Sequence, residues 1–105
     1  VSRFDFALTD NDIELTRKLM MYCDAQGLEY FSLDTFREAN LDKGMTDPIH
    51  EIGAHFAKLK ANGVYEAVGE IPSEIGSNNE RKVDLWRFNW KRWRVIVRGR
   101  LEAFV

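Results

Sequence analysis

The chain has 105 residues, 45% hydrophobic and 30% charged, with 2 prolines and 7 glycines; this length and composition exclude disordered and fibrous classes and give one domain (1–105) around a single core. A lone cysteine, Cys23, excludes an internal disulfide and a thiolate metal cluster, suits a reducing compartment, and reads as a small buried apolar residue. The net charge of -2 hides an asymmetry, since residues 1–74 carry 7 Lys/Arg against 14 Asp/Glu and residues 75–105 carry 8 against 3, so an anionic partner is expected to meet the C-terminal third.

From the N-terminus, apolar Phe4, Phe6 and Leu8 precede "LTDNDIELTRKLMMYCDAQG", which reads as a helix capped by Thr9 or Asp10 and closed by Gly27. Ile13, Thr16, Leu19, Met20 and Cys23 fall at helical spacing and form its inner face. "FSLDTFREANLDKG" gives a shorter helix capped by Ser32, with Leu33, Phe36 and Ala39 or Asn40 one turn apart and Gly44 closing the loop. A third helix begins at Asp47–Pro48, a cap followed by proline at the first helical position, and ends at Gly63.

"VYEAVGEIP" and "VDLWRF" read as strands and the polar "SEIGSNNERK" between them as a turn, which makes a hairpin with a long tip. In "NWKRWRVIVRGRLEAFV", Trp90, Trp93, Val97, Leu101 and Phe104 step by four or three residues behind a capping Asn89, with Lys91, Arg92, Arg94 and Arg98 off the stripe. Alternation and "VIV" also fit a strand. The helix is favoured because its stripe spans the whole of 90–104, whereas a terminal strand of that length leaves an exposed edge.

The third helix carries His50, Glu51 and His55, which invites comparison with a zinc-protease helix. Those motifs need two histidines four apart; here the spacing is five, roughly 140° round the helix, so no metal site is expected. Ile49, Ile52, Phe56 and Leu59 are expected inward, leaving Glu51, Ala54, His55, Lys58 and Asn62 outward with His50 near the N-terminal end. No nucleophile elbow, glycine-rich phosphate loop or paired-carboxylate motif is present, so neither an enzyme nor a cofactor is expected. No apolar run approaches the ~20 residues that cross a bilayer, and no signal-peptide pattern is present; the expectation is a cytoplasmic protein without membrane contact.

Helices followed by a polar-tipped hairpin, and in particular "IGAHFAKLKANGVYEAVGEIPS" followed by "RKVDLWRF", resemble the winged helix-turn-helix modules of phage, plasmid and archaeal proteins over about residues 8–90. The resemblance implies a mainly α fold with a small hairpin (α+β), comprising a three-helix core, a wing and the C-terminal amphipathic helix. It also implies double-stranded DNA as partner, in a regulatory or replication-related role. The third helix then enters the major groove through His50, Glu51, Ala54, His55 and Lys58, and the wing contacts phosphates or the minor groove through Ser77, Asn78, Asn79, Arg81, Lys82 and Arg87. Residues 47–62 set Lys58 and Lys60 against Asp47 and Glu51, so attraction to phosphate must come from Arg81, Lys82, Arg87 and the C-terminal arginines. The alternative is a winged helix serving protein–protein assembly, with Trp90, Trp93, Val97 and Leu101 as the surface for a homodimer or another partner. Trp86 is expected in the domain's own core.

Overall fold

The computed structural model describes residues 7–72 and 82–102, with side chains up to residue 99. Helix α1 (Asp10–Gln26) is capped by Thr9, not Asp10. The Thr9 hydroxyl accepts the Asp12 N–H at 3.1 Å, while the Asp12 carboxylate accepts the Thr9 N–H at 3.0 Å, so two amides that a helix start leaves unpaired are both satisfied. The helix stops at Gly27, where φ is 69° and the N–H of Leu28 reaches back to the Cys23 carbonyl at 2.8 Å.

Phe31 interrupts the link to α2 (Leu33–Glu38) by exchanging both backbone hydrogen bonds with Trp86, at 2.9 and 2.8 Å. Ser32 caps α2 as expected, and Asn40 ends it in the left-handed conformation at φ 59°. Helix α3 (Pro48–Ala61) begins where Asp47–Pro48 predicts, but the Asp47 carboxylate makes no cap bond. It turns to His50 instead, and Glu51 reaches back to the Asp47 N–H at 2.8 Å.

Strands β1 (Tyr65–Pro72) and β2 (Lys82–Phe88) pair antiparallel from Tyr65↔Phe88 to Pro72↔Lys82. The register slips between Ala67 and Gly69, so Val68 is an extra residue bulged out of the ladder. Helix α4 (Trp90–Glu102) follows at once. Asn89 caps it by accepting the Arg92 N–H on its side chain at 3.0 Å, while its own N–H donates to the Val64 carbonyl at 2.7 Å. The C-terminal segment is therefore helical, and the chain is an α+β fold of helices around a two-stranded antiparallel hairpin.

One core joins Leu15, Leu19, Met20 and Cys23 of α1 to Phe31, Phe36, Ile52, Phe56, Leu59, Val64, Tyr65 and Trp86. Its aromatic centre is dense: Phe31 stacks on Phe88 at 4.3 Å and meets Tyr65 edge-on at 4.9 Å, while Phe56 lies 5.6 Å from Trp86. Trp93 and Ile96 bring α4 against this core.

Two expectations of facing need correction. On α3 the buried residues are Ile52, His55, Phe56 and Leu59, so the inward arc is rotated by about one side chain from the aliphatic stripe. Ile49 falls at one margin of that arc and is 73% exposed, while His55, at the other margin, is 2% exposed. On α4 the residues packed on the core are Trp93 and Ile96, whereas Trp90 is 51% exposed. The side chain of Leu101, and Phe104 altogether, lie outside the described residues, as do Phe4 and Phe6.

Candidate nucleic-acid interface

The residues named for the groove-facing side of α3 do not stand together. His50, Glu51 and Ala54 are exposed, but the His50 ring is hydrogen-bonded to Asp47 at 2.6 Å and Glu51 serves as the cap replacement. Lys58 is partly buried, with its ammonium 3.2 Å from the Asp12 carboxylate. His55 faces the interior, which removes it from any surface contact. The outer face of α3 thus combines His50 and Lys60 with small residues, Gly53, Ala54, Ala57 and Ala61, and is bordered by exposed Glu51 and Ile49.

His55 is instead the centre of a buried polar knot. Its Nδ1 lies 3.0 Å from the Asp12 carboxylate and its Nε2 2.9 Å from the Tyr65 hydroxyl. An ionised carboxylate only accepts, so Nδ1 carries a proton; in the neutral ring, Nε2 then accepts the hydroxyl proton of Tyr65. The Thr16 hydroxyl donates to the Asp12 carbonyl at 2.8 Å and lies 3.2 Å from the Tyr65 oxygen.

Burial by itself raises the pKa of Asp12, but hydrogen bonds from His55, from Thr9 and from Lys58 outweigh it and hold the carboxyl well below the usual range. Burial pushes the Tyr65 hydroxyl up; the neighbouring Thr16 hydroxyl opposes this and the charge of Asp12 adds to it, so the ring stays neutral. Burial likewise pushes the Cys23 thiol up to about 11, which leaves it a protonated core residue. With both ring nitrogens occupied and the ring sealed off, the His–Asp–Tyr set offers a substrate no access. Its work is to fasten α1, α3 and β1 to one another. The sequence signal for it was faint: a histidine one step off an aliphatic stripe, with partners 43 and 10 residues away.

On the hairpin, Lys82 is exposed at the start of β2, where with exposed Asp84 it borders an open groove lined by Leu33, Gly53, Phe56, Val83 and Trp86. Arg87 is exposed but paired with Glu66 at 3.1 Å. Ser77, Asn78, Asn79 and Arg81 lie outside the described residues. Beyond the hairpin, Arg92 folds over Gly63 and donates to the Asn62 carbonyl at 2.8 Å, a cation at the C-terminal end of α3. Lys91, Arg94 and Arg98 stand exposed along one side of α4, where they line a shallow concavity with Val95 and Gly99.

No protein-family model matches the chain, and no curated protein or solved structure matches it significantly. Among the described residues no helix is long and apolar enough to cross a membrane, and no group of His, Cys, Asp or Glu could hold a metal ion.

Proposed function

We propose that the chain is a duplex-DNA-binding module of the winged helix-turn-helix kind, with α2 and α3 as the helix pair and β1–β2 as the wing. The observation that carries this reading is the Phe31–Trp86 bridge. It ties the base of the hairpin to the α1–α2 link, so the hairpin is anchored beside the helix pair, which is the placement a wing needs. The small outer residues of α3, Gly53, Ala54 and Ala57, let a groove approach the helix closely, and apolar contact by alanine suits the methyl edge of thymine. Affinity comes from Lys82 and Arg81 of the hairpin and from the cations that follow, because α3 itself supplies little positive charge.

The test is binding to a mixed-sequence labelled duplex over a salt series, beside an Arg81→Ala/Lys82→Ala variant. The wild-type affinity falls with salt, and the variant's logarithmic slope is shallower by about 2, near 0.9 for each lost phosphate contact. Absence of binding at low salt overturns the reading. A protein-assembly module then takes its place, a role for which the exposed Ile49, Trp90 and Val95 speak.

A further inference from the structure

We infer that the Lys91–Arg94–Arg98 face of α4 is a second phosphate-binding surface, which engages the DNA backbone beyond the stretch met by α3 and the wing; the inference rests on the DNA-binding reading above. The three residues lie within about 60° of arc and span roughly 10 Å along the helix. That length spans about three base-pair steps measured along the duplex axis, at about 3.4 Å each. Val95 and Gly99 flank them on one side and line the same shallow concavity, so the face has low relief there and a phosphodiester chain can lie along it.

The use of neighbouring cations sharpens the contrast. Lys58 is held by Asp12, Arg87 by Glu66 and Arg92 by the Asn62 carbonyl, each at 3.2 Å or less. Among the described residues Lys91, Arg94 and Arg98 form no ion pair. The sequence of α4 contains a single acid, Glu102, in its last turn. Three like charges on adjacent turns repel one another, and here no described carboxylate offsets that repulsion. A polyanion does.

The face is also held in a fixed orientation. Asn89 links the start of α4 to Val64, Arg92 links it to the end of α3, and Trp93 and Ile96 seat the opposite side on the core. Helix α4 leaves β2 after one residue, so its charge is positioned relative to both α3 and the hairpin before any ligand arrives. Little ordering remains to oppose binding.

The experiment measures duplex binding over a salt series for the wild type, the Arg81→Ala/Lys82→Ala variant and a Lys91→Gln/Arg94→Gln/Arg98→Gln variant, with circular dichroism and thermal unfolding confirming that each is folded. The expected result is a slope shallower by about 2.7 in the α4 variant, so that a fourfold rise in salt costs it ~40-fold less affinity than it costs the wild type. Wild-type slope in the α4 variant, with a shallower slope in the hairpin variant, overturns the inference and leaves the DNA reading standing. No duplex binding by the wild type overturns both. Self-association at low salt that vanishes in the α4 variant, with its DNA slope unchanged, also overturns the inference and assigns the face to the acidic surface of a second copy.

Discussion

Asp12 and Arg94 are both charged side chains on amphipathic helices, and their surroundings differ in kind. Asp12 is almost fully buried and receives bonds from His55, Lys58 and Thr9, so its charge is spent on holding helices and strand in place. Arg94 is exposed and has no ion-pair partner among the described residues. The acidic part of the chain therefore uses a key carboxylate as structure, while Lys91, Arg94 and Arg98 of the basic part display their charge on a helix seated by Asn89, Arg92, Trp93 and Ile96. Charge that is already satisfied cannot recruit a ligand, and charge that is displayed contributes little to the fold. Mutations on the two sides should separate accordingly.

The largest expected effect lies at the knot. Asp12→Ala leaves the buried Nδ1–H of His55 and the part-buried Lys58 without their acceptor and opens the α1 cap; an unsatisfied buried donor costs about 1–3 kcal/mol and the lost cap about 1 more. Urea unfolding should show this loss, while a protein unfolding at the wild-type midpoint would mean that the knot is decorative. His55→Ala should be comparable in kind, and the double variant much less than additive, because the two residues share one network. The acid limb provides a second check. The folded Asp12 carboxyl titrates below its ordinary value of about 3.9, so its contribution is complete above that pH and is lost as the pH falls below it. Asp12→Asn removes that dependence and flattens the decline in stability below about pH 4.

A smaller effect is expected from Tyr65→Phe, which keeps the ring packed against Phe31 and Phe56 and removes only the hydroxyl between His55 and Thr16. A buried acceptor left without its donor costs about 1–3 kcal/mol. Chemical denaturation measures the loss, and the duplex-binding slope of the folded variant should equal that of the wild type. A change in slope would break the division between a structural acidic half and a displayed basic helix.

The course of the chain was legible because its punctuation is local. Thr9, Ser32, Asp47–Pro48, Gly27, Gly63 and Asn89 mark starts and stops through bonds or backbone conformations involving their immediate neighbours, and the elements begin and end where those residues place them. The facing of side chains was less legible, because it depends on partners remote in sequence. A histidine at the edge of an aliphatic stripe reads as outward until an aspartate on another helix and a tyrosine on a strand supply both of its hydrogen bonds. Among the described residues no buried side-chain nitrogen or oxygen lacks a partner, which is why a polar ring could displace Ile49 from the inward arc. The bulge at Val68 and the Phe31 bridge left no periodic trace at all, each being the pairing of a single residue. For the candidate interface, the sequence located the basic third of the chain, but not which of its cations are already held by protein oxygens.

The smallest effect concerns the seat of α4. Asn89→Ala removes the side-chain acceptor for the Arg92 N–H but leaves the backbone link to Val64, and loss of such a cap costs about 1 kcal/mol. Fraying at this point loosens Arg92 from the end of α3 and lets the cationic face turn relative to the hairpin, although no cation is removed. Amide exchange should therefore quicken in α4 while α1 and α3 keep their protection. Duplex affinity should drop with an unchanged salt slope, since the number of phosphate contacts is the same and only their preorganisation is reduced. Faster exchange throughout the chain would instead make α4 part of the same cooperative unit as the knot, and the contrast between a structural half and a displayed helix would then hold for charge but not for stability.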